Sequence, residues 1–567
     1  MLCEARRTPG QANRLPPRLF QPQTETTQVI IPPRTDRKAL WLTLLLVSLG
    51  VLLLLSAILW SRTRPVDMHD LHLADGEKLK CVSYAPFHRP GQTPLEIDTR
   101  IDREQIAADL AALSKITDCV RLYSVAQGLD QVPELARPLG MKVLLGAWIG
   151  YEKPLNAREL ERAIALANAN TDVVRALIVG NEVLLRRERT EDEMRELIRH
   201  AKANAKVPVT YADVWEFWTR HDSLAAEVDF VTVHILPFWE DEPVDIELAL
   251  AHVAETRRHV GEHFAGKNIL IGETGWPSAG RQREESTPSR VNQARYVREF
   301  VHRAHAEGWD YNLIEAIDQP WKRKLEGTVG GYWGMLEAAS LAPKFPLAGP
   351  VAERDSLYGP IGGAIVGGVL ALLLAATGRR TRCLRVSALT ATGALGGLVA
   401  VLHWEHAHLA YRNALEWILL GGVGALAGLL PLALARWYGE PIPATATAGR
   451  ILWRAGRLRS KAASIGMLRG LLLFAAAVAA LLLWVDPRYR DFPTLLYLAP
   501  AVVFGVTGWW RNGTTRRERT CAAIIAIGVI ARWSSEPANP QAIAWLLVGL
   551  ALALPPLLVR THQDEQR

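Results

Sequence analysis

Two stretches decide the reading of this chain: Val179-Gly180-Asn181-Glu182 and Ile271-Gly272-Glu273-Thr274-Gly275-Trp276-Pro277-Ser278. Each places one glutamate just after an apolar run that reads as a buried strand, Ala176-Leu177-Ile178-Val179 and Ile269-Leu270-Ile271. A pair of carboxyls carried on strand ends is what retaining glycoside hydrolysis requires. One protonates the leaving oxygen while the other attacks the anomeric carbon from about 5 Å away. Two strand-end glutamates taken at random are ordinary surface residues, but the flanks here argue otherwise. Asn181 is suited to hold a sugar hydroxyl, and Trp276 with the rigid Pro277 to shape a stacking wall.

Outward from these stretches, residues 72–345 alternate short β-rich runs with amphipathic helical ones. Strands are expected at 80–84, 118–123, 142–148, 175–181, 208–213, 229–234, 268–273 and 311–318, with helices at 102–115, 157–169, 190–204, 246–264 and 288–306. Eight such units in this length predict an α/β fold, a (β/α)8 TIM barrel, whose active sites gather at the C-terminal strand ends. Glu182 closes the fourth strand and Glu273 the seventh. The other strand ends offer Tyr84, Arg121, Tyr123, Asp213, Trp215, His234, Trp239, Asp318, Trp321, Lys322, Glu326 and Trp333 as substrate-binding residues. Indole rings are flat and apolar with one donor, which suits the C–H face of a pyranose. Trp148 reads as core.

The rest of the chain is a membrane protein. Hydrophobic residues make up 49 % of the 567, yet mean hydropathy is only +0.06, so a soluble part dilutes a very apolar one. Residues 39–60 form an uncharged apolar run long enough to span a bilayer, read as an uncleaved anchor. The 1–38 stretch before it carries seven Lys/Arg against three acids and is Pro/Gln/Thr-rich, which predicts a disordered basic cytoplasmic tail. After a 346–359 linker, an all-α membrane domain is expected over 360–560, with seven spans near 360–378, 386–404, 414–435, 470–485, 494–510, 521–533 and 542–559. The loops 379–385, 436–469 and 511–520 are basic, among them Arg379, Arg380, Arg457, Arg459 and Arg511, while the alternate loops 405–413, 486–493 and 534–541 are not. This alternation predicts a multi-pass protein with both termini cytoplasmic and 61–358 facing outward. The net charge of +7 is thereby topological, and no nucleic-acid partner is expected. The lipid bilayer is one partner. Gly362-Gly363, Gly367-Gly368 and Gly421-Gly422 permit close helix packing, and acidic residues within the spans are nearly absent, Glu416 near one helix end being the exception, which disfavours a proton-coupled transporter.

Five cysteines are too few for a disulfide scaffold. Cys3, Cys383 and Cys521 fall in cytoplasmic or membrane segments. Cys81 and Cys119 fall in the outward domain, at similar positions of the first two strands, and are a possible disulfide. No His/Cys/Asp cluster has metal-ligand spacing, and no cofactor is expected.

Over 72–345 the chain resembles glycoside hydrolase family 17, the β-1,3-glucanase family, and within it the membrane-anchored bacterial members. Val179–Glu182 matches the family's acid/base block and Glu273–Ser278 its nucleophile block. The resemblance implies that Glu182 is the acid/base, that Glu273 is the nucleophile and that the substrate is a β-glucan oligosaccharide or polysaccharide. It also implies a bacterial inner membrane with the barrel in the periplasm. The sequence departs from the family at the eighth strand, where Ile317-Asp318-Gln319 stands for Phe-Asp-Glu. As an acid, Glu182 needs a raised pKa. Whether water or a sugar hydroxyl takes up the glycosyl-enzyme is not written in residue types. A catalyst tethered beside a multi-span domain favours transglycosylation, with a separate glucan synthase or exporter as partner. A catalytically silent glucan-binding scaffold is the alternative.

Overall fold

The computed structural model describes residues 37–71, 73, 77–377, 382–455, 460–510 and 512–559. The 1–38 tail lies outside the described residues except for Arg37 and Lys38, which begin the first helix, Arg37–Arg62. Cys3, Arg379, Arg380, Arg457, Arg459 and Arg511 also lie outside them.

Eight parallel strands close into a barrel in sequence order: β1 Val82–Ser83, β2 Cys119–Arg121, β3 Lys142–Ala147, β4 Val174–Asn181, β5 Val209–Val214, β6 Val231–His234, β7 Ile269–Thr274 and β8 Asp310–Leu313. Helices such as Lys153–Ala169, Glu191–Asn204 and Arg290–Ala306 cover it. Glu191–Asn204 opens with a capping box, Thr190 and Glu193 each bonding the other's backbone N–H. Side chains on a strand alternate between faces. One set of alternate positions, Cys81, Cys119, Leu144, Ala176, Ile178, Ala212 and Leu270, forms a small core of its own inside the barrel. The other set joins the larger core beneath the helices. Cys81 and Cys119 are disulfide-bonded within the inner core.

The last strand is shorter than the expected 311–318. Beyond Leu313 the chain leaves the ladder. Glu315 N–H then donates to the Trp333 carbonyl (3.1 Å) and Asp318 N–H to the Leu336 carbonyl (3.0 Å). The segment 314–318 therefore pairs mainly with residues 333–336, keeping one bond to β1, from Ala316 N–H to the Ser83 carbonyl (2.9 Å).

C-terminal to the barrel the helices are Tyr358–Ala376, Cys383–Ala410, Ala414–Ala435, Thr445–Ala455, Lys461–Val485, Thr494–Thr507, Arg516–Ser535 and Pro540–Leu558. Among the described residues, six helices, counting Arg37–Arg62 and omitting Thr445–Ala455, Thr494–Thr507 and Arg516–Ser535, are long and apolar enough to cross a membrane. Thr494–Thr507 has 14 residues, about 21 Å of helix. Arg516–Ser535 begins with charged residues and contains Arg532. Gly363 and Gly367 lie directly against Gly397 and Gly393, so two helices pack backbone to backbone. Gly421 and Gly422 face open space instead.

One expectation for this region is corrected: the stretch 436–469, read as a loop, contains the helix Thr445–Ala455 and the first turns of Lys461–Val485. Arg469 and Glu518, both from stretches read as loops, form a buried ion pair: Arg469 Nη2 lies 2.9 Å from Glu518 Oε1, both groups about 95 % covered. Glu518 also accepts from Thr445 Oγ1 at 2.7 Å. A charge pair at that depth persists because each group satisfies the other.

Candidate active site

Local backbone features aim the two glutamates. In β4, the pairing with β5 shifts register between Ile178 and Asn181. Gly180 has φ +84° and Glu182 φ +53°, left-handed conformations that turn the chain sharply. Position 180 admits only glycine, because a Cβ would stand 2.6 Å from Val183 Cγ2. In β7, a shift beside His234 pairs that residue with Glu273 instead of Gly272. Such irregularities re-aim side chains at active sites.

Oxygens of Glu182 and Glu273 and a ring nitrogen of His234 all lie within 4.8 Å of one another. Arg121, with no solvent exposure, organises them. Its Nη1 donates to Glu273 Oε1 (3.0 Å) and to the Gly272 carbonyl (2.7 Å), and its Nη2 to Asn181 Oδ1. Tyr123 Oη–H donates to the same Glu273 oxygen at 2.9 Å. Among the described residues no hydrogen bond reaches Glu273 Oε2, which is the oxygen left to face a substrate. His234 Nε2 lies 3.4 Å from Arg121 Nη1. Its Nδ1 lies 2.8 Å from Glu182 Oε1. The Glu182–His234–Glu273 spacing would by itself suit a cation, but the Arg121 guanidinium already stands among these groups.

Electrostatics overturn one expectation. Burial works to raise the Glu182 carboxyl. The hydrogen bond and electrostatic pull of His234, with Arg186 and Arg121, overcome it and hold Glu182 below the usual glutamate range. Three neighbours move the other way. Burial takes Glu315 up to about 7 against the pull of Lys322, whose Nζ donates to it at 2.8 Å. Burial raises Asp213 to about 6, and the charge of Glu182 adds to this. Glu326 is raised by burial and by the charges of Glu182 and Glu273.

The structure thus brings Arg121, Tyr123, Asn181, Glu182, His234 and Glu273 together, with Lys322 and Glu326 beside them. Asp213 adjoins Glu182, but its oxygens serve the protein, accepting from Tyr211 and from Val214 N–H. Asp318 accepts from Lys344 Nζ and Gly334 N–H and braces the eighth-strand loop. Trp321 donates to Gln319, and Trp215 packs edge-on to His259, both half-buried.

Three aromatic candidates do not reach the cleft surface. Tyr84 is fully buried, its hydroxyl donating to Asp109 (2.9 Å). Trp276 is likewise buried, donating to the Thr287 carbonyl (3.0 Å) behind Phe238. Trp333 is 2 % exposed beneath Trp239. Trp148, read as core, is 41 % exposed under the Arg186 guanidinium. Reading the sequence also missed Ser83 and Asn312, whose contacts fix Tyr123, and Glu315. A lone glutamate inside the apolar run Ile314–Ile317 was the available signal.

Residues 81–334 match the family model described as the BtgE/BtgC glycoside hydrolase domain. The chain is 28 % identical over 261 residues to glucan 1,3-β-glucosidase of Arthroderma benhamiae, covering 43 % of this chain and 84 % of that protein. It is 28 % identical over 274 residues to glucan endo-1,3-β-glucosidase btgC of Emericella nidulans, covering 41 % and 40 %. It thus spans less than half the length of the btgC relative. A solved structure, the family 17 β-1,3-glucanosyltransferase of Rhizomucor miehei, aligns with TM-score 0.41 and 25 % identity over 49 % of this chain and 98 % of that one. On the family match, the barrel of this chain is similar to the BtgE/BtgC glycoside hydrolase domain.

Proposed function

We propose that this protein is a membrane-bound retaining glycoside hydrolase/transglycosylase that acts on β-1,3-glucan, with Glu273 as nucleophile and Glu182 as acid/base. The spacing of the two carboxylates carries the reading. One oxygen of each lies within 4.8 Å of the other, which suits the about 5–5.5 Å of a retaining pair better than the about 6.5–9.5 Å of an inverting one. The relatives' names supply the substrate class.

In the first step Glu273 Oε2 bonds to the anomeric carbon. The glycosidic C–O bond breaks, and the proton on Glu182 passes to the leaving oxygen. In the second step Glu182, now a carboxylate, takes a proton from water or from a sugar hydroxyl. That oxygen attacks the anomeric carbon and releases Glu273. Arg121 and Tyr123, both donating to Glu273 Oε1, fix Glu273 in place for attack and bond it again as it leaves. Transfer to a sugar hydroxyl, remodelling glucan as a bacterial synthase or exporter delivers it into the periplasm, suits the tethered geometry better than scavenging.

The test is a time course of the full-length protein in detergent with β-1,3-linked gluco-oligosaccharides, read by mass spectrometry. Products longer than the substrate establish transfer, and only shorter ones establish hydrolysis. E182Q and E273Q should each lower kcat by about 10³-fold or more. Remodelling that survives both substitutions would refute the assignment. A 2-deoxy-2-fluoro glucoside should leave a sugar covalently on the peptide containing Glu273.

A further inference from the structure

The catalytic face of the barrel does not stand free. Loops following β6, β7 and β8 rest on the loops that join the membrane helices. Arg281 pairs with Glu536, Asn539 Nδ2 donates to the Gln282 carbonyl (3.1 Å), and Arg323 Nη1 donates to the Leu409 carbonyl (2.6 Å). The contact nearest the catalytic groups falls on 486–492, between Lys461–Val485 and Thr494–Thr507. Tyr489 sets its ring edge-on to Trp239, centroids 6.1 Å apart at 69°. Trp239 in turn stacks on Trp333 at 6.1 Å and 19°. Arg488 Nη2 donates to the Trp239 carbonyl at 3.3 Å and lies over both the Trp239 and Tyr489 rings, 5.6 and 5.8 Å from their centroids. Thr328 Oγ1 donates to Asp491.

Gly327 shows how close this approach is. It has φ +70°, and a Cβ there would collide with the Tyr489 carbonyl oxygen, so the backbone of the membrane loop touches the barrel at that point. Gly327 directly follows Glu326, a neighbour of both catalytic carboxylates. A segment of the membrane domain therefore touches the residue next to Glu326, which feels the charges of Glu182 and Glu273.

The chemistry of the loop suits a sugar. Tyr489 is a half-buried ring, with an apolar face for a pyranose and a hydroxyl at its tip. Arg488 is exposed and uses one N–H on the Trp239 carbonyl, which leaves others of its five for sugar hydroxyls. We propose that the membrane-domain loop 486–492 is a wall of the glucan cleft, in which Tyr489 and Arg488, with Trp239, form a distal sugar subsite that the barrel lacks by itself. The inference rests on the glucan reading above. On this reading a short oligosaccharide reacts without touching the loop, and only a longer one extends across it.

The test uses full-length protein in detergent micelles and a ladder of β-1,3-linked gluco-oligosaccharides, from the shortest that turns over upward. Y489A should raise KM for the long members about tenfold, the upper end for an aromatic contact, with kcat/KM for the shortest unchanged. R488A should act in the same sense more weakly, and Y489F should remain near wild type. A loss equal at every length would make the loop a strut, and no change at any length would remove it from the cleft; either overturns the inference. Should Y489A fold poorly by its melting temperature, R488A at its exposed position decides. Wild-type protein without turnover overturns the glucan reading and this inference with it. Wild-type turnover with unaltered length dependence in the variants overturns this inference alone.

Discussion

At Arg121 a guanidinium without solvent exposure bonds Glu273, Asn181 and the Gly272 carbonyl while lying 3.4 Å from His234. Its charge reaches both catalytic carboxylates, and with His234 it holds Glu182 low in the free protein. The consequence for pH follows directly. In the proposed reaction the first step uses protonated Glu182, so a carboxyl held low is protonated only on the acid side, and kcat/KM falls as pH rises past it. H234L removes the hydrogen bond that lowers Glu182. Its alkaline limb should therefore move to higher pH, whatever happens to kcat. A limb that stays in place would show that another group sets it. At this scale the motif around each glutamate was readable, because strand-end position and flanking residues are local properties. Exposure was not. Trp148 and Trp276 are the same residue type at strand ends, yet one is 41 % exposed and the other fully buried, since their covers come from distant segments.

The elements that aim these residues depend on a few irregular positions. Gly180, at φ +84° with Val183 close by, sets the turn that presents Glu182. G180A should cost about 1–2 kcal/mol of stability. It should also lower kcat beyond what that loss explains, because the same turn positions the acid. Melting temperature and kcat measured together separate the two effects. Most strands were readable because a buried parallel strand is a short apolar run. The end of β8 was not, since 314–318 continues the run while its main partners are 333–336. The helix Thr445–Ala455 escaped for a different reason: a search for apolar spans passes over an 11-residue amphipathic helix. The Arg469–Glu518 pair joins residues 49 apart, beyond any local pattern.

Over the whole molecule, several buried carboxyls share one behaviour. Asp213 and Asp318 are raised to about 6 and Glu315 to about 7, burial being the first cause in each. Unfolded, the same groups release their protons near pH 4. Between about pH 4 and 7 the folded state therefore binds more protons than the unfolded one, and stability falls as pH rises through that window, then levels off. Melting temperatures of the full-length protein in detergent should decline from pH 5 to 7 and flatten above. D213N should reduce the slope. Carboxylates held low in surface pairs, such as Glu134 and Asp172, act below this window. The sequence signalled the bundle through its apolar runs and its alternating basic loops. It gave no sign that the less basic loops would meet the barrel, because pairs such as Arg281 and Glu536 lie 255 residues apart.

That docking also couples two parts of the molecule mechanically. The loops after β6, β7 and β8 are held to the ends and loops of the membrane helices through Trp239, Arg281 and Arg323. That rim of the barrel therefore cannot shift unless the helix ends shift with it, and a change in how the helices pack would be felt at the barrel rim.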